Sequence, residues 1–175
     1  MSSSQSLTGE ICVSTKIYFL RHGESEANVR GVLCGSGRDA ELTERGKAQI
    51  SFLASQVHSL KIKTLVASPL ARARSSADLL GLDYQVDAAL KEQFYGDWEG
   101  LPFEEVREKF LKHFDPPNGE SHLEFLKRIT DAFVRILKLE GPVLIVSHGG
   151  VGSELLSYLG HQKRLLHNAE LYLLT

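Results

Sequence analysis

The apolar run PVLIVS at 142–147 constrains the fold more than any other segment, because it lacks the polar alternation of a half-exposed strand. It lies between a Gly-Pro turn and the pair Gly149-Gly150, and it predicts a central strand that is covered on both faces. The runs KIYFL at 16–20 and TLVAS at 64–68 are short and rich in β-forming residues, and they predict two more buried strands.

Segments with helical spacing or helix-end signals separate these strands. Residues 43–60 carry apolar side chains on one face with Thr43 at the N-cap, and Ser121 with Glu124 forms a capping box for a helix to about Leu139. Further helices are predicted at 69–80, ended by Gly81, at 103–114 and at 150–159, and shorter strands at 84–86 and 171–174. This alternation predicts an α/β fold: a three-layer α/β/α sandwich with a mostly parallel central sheet.

Length and charge narrow the class of protein. The 175 residues suit one domain, and the net charge of −2 offers no broad basic surface to nucleic acid or to an anionic membrane. Residues 1–15 lack a positive n-region and a long apolar run, so we expect a flexible N-terminal extension on a cytoplasmic protein. Cys12 and Cys34 form no metal-binding pair, and we interpret them as reduced thiols.

Unusual polar residues follow three of the predicted strands. Arg21 and His22 come after the first strand, Arg72 after the second, and His148 after the strand at 142–147. Because the carboxyl ends of parallel strands meet at one edge of a sheet, we expect these side chains to gather there. Each residue taken singly is typical of a turn or a solvated surface, and only their joint position favours a site.

Such a cluster suits a phosphate group. The rigid fork of arginine matches the acceptor oxygens of a phosphoryl group, and a neutral imidazole with a pKa of about 6.5 is a competent nucleophile near neutral pH. Gly23 and Gly149, each next to a histidine, would let the backbone approach the anion. The sequence offers no acidic cluster with metal-like spacing, no HxH and no CxxC, and we predict neither a metal nor a cofactor.

Several other sequence features are interpreted without a part in the site. The GxGxxA pattern at 35–40 does not follow a strand directly, so we do not assign it to a dinucleotide. The aromatic side chains of the loop at 87–101 could stack on a substrate ring, but we favour packing under the loop for Phe94, Tyr95 and Trp98. The remaining histidines are interpreted as ordinary surface or helix residues: His58, His113, His122, His161 and His167.

A set of motifs in fixed order resembles the histidine phosphatase superfamily, which includes the phosphoglycerate mutases. The motifs are LRHGES at 20–25, LTERG at 42–46, SPLARA at 68–73, the acid-bearing loop at 92–100, GES at 119–121 and SHGG at 147–150. The resemblance covers nearly the whole chain and implies a phosphoglycerate mutase-like fold, with a single histidine phosphatase domain over 16–175.

The resemblance also implies roles for individual residues. His22 would become phosphohistidine, Glu92 would act as general acid and base, and the phosphoryl oxygens would be bound by Arg21, Arg72 and His148. The other residues carried over to substrate binding are Asn28, Cys34, Gly35 and Gly149. Cys34 departs from the pattern, since family members often have Ser or Gln there.

Three functions remain open at this point. We favour a metal-independent phosphatase acting on a small-molecule phosphate ester, and the compact layout with DPPNGES at 115–121 most resembles the α-ribazole phosphatase-like branch. The segment 93–119 is short and the chain ends just after its last predicted strand, which favours hydrolysis over a cofactor-dependent phosphoglycerate mutase. A non-catalytic phosphate- or protein-binding module is the third alternative, and a homodimer is the one macromolecular partner considered.

Overall fold

A five-stranded sheet forms the centre of the protein, whose computed structural model describes residues 15–175. The expected extension at 1–15 lies outside the described residues, apart from Thr15. The strands are β1 Ile17–Arg21, β2 Thr64–Ala67, β3 Gln85–Val86, β4 Val143–Ser147 and β5 Leu171–Leu173, in the sheet order β3-β2-β4-β1-β5. The pairs β3-β2, β2-β4 and β4-β1 are parallel, and β5 pairs antiparallel with β1 at the edge.

The central position of β4 confirms the prediction from its apolar run. All five residues of β4 are buried. In register, Val143 faces Ile17 of β1 on one side and Thr64 of β2 on the other, so the three strands end at the same level. The carboxyl ends of β1, β2 and β4 therefore share one edge of the sheet.

Six α-helices accompany the sheet in the described part of the chain. They are α1 Glu26–Val29, α2 Glu44–Ser59, α3 Ala71–Leu79, α4 Phe103–Leu111, α5 His122–Ile136 and α6 Gly149–Tyr158, with short 3-10 helices at Ala88–Leu90 and Gly96–Trp98. Helices α2 and α3 pack on one face of the sheet and α5 and α6 on the other, which confirms the three-layer prediction. Among residues 15–175, no helix has the length and hydropathy needed to cross a bilayer.

The helix ends follow the predicted signals in most cases. The Thr43 hydroxyl accepts from the Gly46 N–H at 2.9 Å, and Ser121 with Glu124 forms the expected capping box. The predicted start of α3 at Pro69 was wrong. The helix begins two residues later, at Ala71, because Leu70 keeps extended backbone angles at the N-cap. The glycine-rich polar sequence of residues 21–42 predicts a long loop, and the short helix α1 lies inside it.

Two apolar layers hold the sandwich together. On one face, side chains of α5 and α6 meet Phe19 and Ile145 of the sheet, and on the other, α2 and α3 meet Leu20 and Val146. A smaller cluster joins the loop of residues 87–101 to α4 and contains Leu33, Tyr95, Trp98 and Val106. The packing interpretation is confirmed for Tyr95 and Trp98, whereas Phe94 is partly exposed and was assigned wrongly.

Two positions on α5 test how far this packing stabilises the domain. Ile129 is fully buried and Leu123, on the same helix, is 77% exposed. We expect Ile129→Ala to lower the free energy of unfolding by about 2–5 kcal/mol, because the substitution leaves a cavity, and Leu123→Ala to change it by less than about 0.5 kcal/mol. Urea unfolding of both variants measures the difference, and equal losses would contradict the assignment of this core.

Candidate active site

A cavity of about 250 Å³ opens at the sheet edge where β1, β2 and β4 end. It is lined by all the residues that the sequence singled out for the site, except Gly23, Gly35 and His148. His148 is fully buried, and its ring meets that of His22 edge to face with centroids 5.3 Å apart. The expected gathering of arginines and histidines at one sheet edge is therefore observed.

The ring of His22 is held in one tautomer. Its Nδ1 lies 2.7 Å from the carbonyl oxygen of Gly23, and a carbonyl can only accept, so Nδ1 carries the proton and Nε2 keeps a lone pair. Burial, with further contributions from Arg72 and Arg21, holds the pKa of His22 well below its usual range. The imidazole is therefore neutral and has a free nucleophilic nitrogen.

Close packing around the backbone next to His22 requires glycine at position 23. A Cβ at this position would lie 2.5 Å from the carbonyl oxygen of Gly46 at the start of α2. Its N–H donates to the Ser76 hydroxyl on α3 at 3.1 Å. The glycine thus lets the backbone that orients His22 pack directly against two helices.

His148 differs from His22 in its unpartnered ring nitrogen, which carries a proton and can donate a hydrogen bond. The Nε2 of His148 lies 2.7 Å from the Ser68 hydroxyl, which itself accepts from the Leu70 N–H at 3.3 Å. Buried Ser68 has no other acceptor among the described residues for its hydroxyl proton, so this proton points at Nε2, and Nδ1 of His148 carries the ring proton. That buried Nδ1 has no hydrogen-bond partner within the described chain. An anion entering the site would supply the missing acceptor.

Two arginines provide the positive charge. Arg72 is 2% exposed, and it donates to the carbonyl of Gly35 at 3.1 Å and to a carboxylate oxygen of Asp39 at 3.0 Å. Arg21 donates to the carbonyl of Leu166, while its buried Nε has no partner in the part of the chain described. Burial lowers the pKa of Arg21 from its ordinary value, because a cation is less stable away from water.

Asp39 was missed by sequence reasoning. One of its oxygens pairs with Arg72, and the other accepts the N–H of Ala71 at the start of α3. The side chain thereby holds the guanidinium fork in position from the loop between α1 and α2. Its segment showed only glycine-rich polar sequence, and no periodicity could have signalled this long-range contact.

Glu92 is the one carboxylate on the cavity lining among the described residues. Its oxygens accept from the N–H groups of Gln93 at 3.0 Å and of Gly150 at 2.9 Å. Burial raises the pKa of Glu92 above its ordinary value, and this effect outweighs the two hydrogen bonds and the nearby arginines. Gly150 matters more here than the predicted Gly149, since a Cβ on Gly150 would lie 2.4 Å from a Glu92 oxygen.

The loop that carries Glu92 is fixed by Arg128 of α5. Arg128 donates to the carbonyls of Ala89 and Lys91 at 2.7 and 2.9 Å and pairs with Glu120 at 2.7 Å. Sequence reasoning assigned no function to Arg128 or Glu120, although Glu120 lies in the quoted GES motif. Their role is to hold the backbone from which Glu92 extends.

Asn28 lines the cavity, and Asn168 joins it to the backbone of His22. The Asn28 oxygen accepts from the Ser25 hydroxyl at 2.9 Å and from the Asn168 amide at 3.0 Å, so its own NH₂ group remains available to a ligand. Asn168 also donates to the carbonyl of His22 at 3.3 Å. Asn168 comes from the segment before β5 and carried no signal in the sequence.

Cys34 and Gly35 act mainly through their backbones. Their carbonyls accept from Arg72, and the Cys34 thiol donates to the Arg38 carbonyl at 3.1 Å. Burial raises the pKa of the Cys34 thiol, so the group is neutral. Cys34 lines the cavity, but Gly35 lies behind Arg72, where a Cβ would fall 2.2 Å from Glu99.

The donor set decides what this site can bind. Unpaired donors on Arg21, His148 and Asn28 surround a neutral imidazole, and a protonatable carboxyl group lies on the same lining in the described part of the chain. Amide, guanidinium and imidazole N–H groups suit a tetrahedral oxyanion rather than a cation. The arrangement can therefore bind a phosphoryl group, present a nucleophile to it and supply a proton.

Comparison with known proteins agrees with this geometry. The profile of the histidine phosphatase superfamily (branch 1) matches residues 17–174. The chain is 29% identical over 160 residues to the adenosylcobalamin/alpha-ribazole phosphatase of Escherichia coli K12, covering 82% of this chain and 78% of that protein. The crystal structure of a phosphoglycerate mutase from Thermus thermophilus gives a TM-score of 0.78 at 32% identity, over 90% of this chain and 91% of that one.

A third relative is much longer. The bovine 6-phosphofructo-2-kinase/fructose-2,6-bisphosphatase 1 is 34% identical over 157 residues, which cover 81% of this chain but only 32% of the relative. This chain thus spans about a third of that protein. The matched profile runs from the first strand to the last, and the motif resemblance is confirmed: the chain belongs to the histidine phosphatase superfamily.

Proposed function

We propose that the protein is a phosphatase that hydrolyses phosphate monoesters of small molecules through a phosphohistidine on His22. The observation that carries the proposal is the neutral His22 ring with its free Nε2, which lines one cavity with a buried Glu92, at a sheet edge where unpaired N–H donors of the described chain also lie. A non-catalytic module would need neither the fixed tautomer nor a carboxyl group with a raised pKa. The membership in a phosphatase superfamily supports the same activity.

The two pKa shifts suit this chemistry because they run in opposite directions. At the ordinary values of 4.5 and 6.5, a protonated glutamic acid and a neutral imidazole would coexist only as a minor species at any pH. Burial raises the pKa of Glu92 and lowers that of His22. Both shifts increase the fraction of protein that has an acid and a nucleophile at once.

In the first step, Nε2 of His22 forms a bond to phosphorus while the bond from phosphorus to the leaving oxygen breaks. Arg21, Arg72 and His148 stabilise the charge on the three non-bridging oxygens, and Asn28 adds a hydrogen bond. Arg72 meets the phosphoryl group with the fork that Asp39 orients. Glu92 gives its proton to the leaving oxygen, and the alcohol departs.

In the second step, water attacks the phosphohistidine. Glu92 is now a carboxylate and takes a proton from the water, whose oxygen bonds to phosphorus as the bond to Nε2 breaks. Inorganic phosphate leaves, and the histidine and the glutamic acid return to their starting forms. The proton that Glu92 takes from water replaces the one that it gave to the alcohol, so the two steps together balance.

For the substrate we propose a small-molecule ester such as α-ribazole 5′-phosphate. The cavity of about 250 Å³ holds a phosphoryl group and part of a leaving group. A relative that covers a similar length is named as an adenosylcobalamin/alpha-ribazole phosphatase. Fructose 2,6-bisphosphate is the corresponding candidate from the longer bovine relative, of which this chain matches one part.

A phosphoglycerate mutase remains the second candidate, because the Thermus thermophilus structure with a similar fold is named as one. A mutase must keep water from its phosphohistidine while the second substrate binds. The short segment 93–119, with only α4 and a 3-10 helix in it, gives limited cover and favours hydrolysis.

Replacement of the nucleophile is the first test. We expect His22→Ala to lower turnover of p-nitrophenyl phosphate by about 10³-fold or more and to abolish acid-labile protein-bound phosphate. Inorganic phosphate should still bind in a calorimetric titration, since the arginines remain. His58→Ala, on α2 away from the cavity, is the control and should retain turnover; phosphoprotein that persists in His22→Ala would reject the proposed nucleophile.

Replacement of the acid tests the leaving-group step. We expect Glu92→Gln to slow hydrolysis of an alkyl phosphate by about 10²–10³-fold but that of p-nitrophenyl phosphate far less, because p-nitrophenolate leaves without a proton. In the wild type, kcat/KM for the alkyl ester should fall as pH rises through the raised pKa of Glu92, and the variant should lose this alkaline limb. Glu99→Gln, a substitution in the same loop, is the control and should change the hydrolysis rates of the two esters by the same factor.

A substrate panel separates the candidate functions. We expect release of inorganic phosphate from at least one of α-ribazole 5′-phosphate, fructose 2,6-bisphosphate and phosphoserine, and little conversion of 3-phosphoglycerate in the presence of bisphosphoglycerate. Phosphate release and mutase product are measured on the same sample. Efficient mutase turnover with negligible hydrolysis would reverse the order of the two functions.

A further inference from the structure

Two histidines and a glutamate from three separate segments meet on the wall of a second cavity. His113 follows α4, His122 is the first residue of α5, and Glu154 lies in the middle of α6. Their potential ligand atoms all lie within 4.8 Å of one another. Sequence reasoning interpreted both histidines as ordinary surface or helix residues, because nothing along the chain joins them to Glu154.

The buried carboxylate of this cluster already holds a cation. Glu154 is only 7% exposed, and it is paired with the ammonium group of Lys163. The same ammonium lies 3.2 Å from Nε2 of His113, and Nε2 of His122 lies 4.0 Å from the carboxylate. Because an ammonium has no acceptor, Nε2 of His113 faces it with a lone pair. The cluster therefore presents a nitrogen lone pair and a carboxylate to one positive charge.

We propose that His113, His122 and Glu154 bind a Zn²⁺ ion, which takes the position of the Lys163 ammonium. Two imidazoles and one carboxylate form a donor set typical of zinc, whereas Mg²⁺ and Ca²⁺ prefer oxygen ligands. Lys163 is partly exposed and can turn to solvent when the ion enters. Water completes the coordination.

Modest side-chain movement brings the ligands to zinc geometry. Ligand atoms around a tetrahedral zinc are about 3.3 Å apart, so the cluster must contract by up to about 1.5 Å. The two rings stack with centroids 4.3 Å apart at 22°, and one must rotate about its Cβ–Cγ bond so that both rings point a nitrogen at the ion. His113 is exposed and free to make this rotation.

The ion would act beside the catalytic cavity and not within it. The cluster lines a second cavity of about 370 Å³, which shares Tyr95, Phe110, Gly150 and Leu165 with the catalytic one. A bound ion would tie the segment after α4 to α6 and would add positive charge to the wall of this neighbouring cavity. The proposed mechanism uses none of the three ligands, so the site is independent of it.

Titration with zinc tests the site directly. The full-length protein, freed of metal with a chelator, should bind one Zn²⁺ per chain in calorimetry, and His122→Ala and Glu154→Gln should each weaken binding by about 10-fold or more. His161→Ala, outside the cluster, is the matched control and should bind as the wild type. Absence of binding, or binding that both ligand variants retain, would overturn the proposal.

Replacement of Lys163 is a second test, in which zinc binding should become tighter instead of weaker. Since its ammonium competes with the ion, Lys163→Met should bind Zn²⁺ more tightly than the wild type, and zinc should restore any loss in melting temperature that the unpaired Glu154 causes. Co²⁺ used in place of Zn²⁺ should give the visible absorption of a four-coordinate site in the wild type and lose it in Glu154→Gln. Weaker zinc binding by Lys163→Met would contradict the competition.

Discussion

Burial of positive charge at one edge of the sheet is the constraint on which the site depends. Arg72 and the rings of His22 and His148 lie almost wholly out of water, where a charged imidazole is costly. The arginines stay charged because carbonyls and Asp39 pair with them, and the histidines stay neutral because burial and the arginines disfavour a further proton. One electrostatic arrangement thus attracts an anion and keeps the nucleophile deprotonated.

Burial raises the pKa of Glu92, whereas it lowers the pKa values of His22 and His148. A carboxylate is disfavoured away from water, so the group keeps its proton to higher pH than an exposed glutamate. Its position is set by the Gly150 N–H at the start of α6 and by Arg128, which binds the carbonyls of its loop. Acid and nucleophile therefore come from elements far apart in the chain, and the closely packed sheet and helices hold them on one cavity.

Sequence patterns predicted the main elements because those patterns are local. The apolar run of β4 and the capping box of Ser121 with Glu124 were visible within a few residues, and both are observed. The predictions failed at three places: the start of α3, where the Ala71 N–H binds Asp39 of a distant loop, the short helix α1 inside a predicted loop, and the partly exposed Phe94. Asp39, Ser68, Arg128 and Asn168 act through partners distant in sequence, so their roles in the site had no sequence signal.

By itself, the sequence determined the alternating fold and the motifs that bring arginines and histidines to the ends of three strands, because periodicity and strand-end position are properties of neighbouring residues. Only the tertiary structure decided the tautomers of His22 and His148, the direction of the pKa shifts and the meeting of His113 and His122 with Glu154. These depend on which atoms lie within a few ångströms and on how much water remains there, and both are fixed only when distant segments pack together.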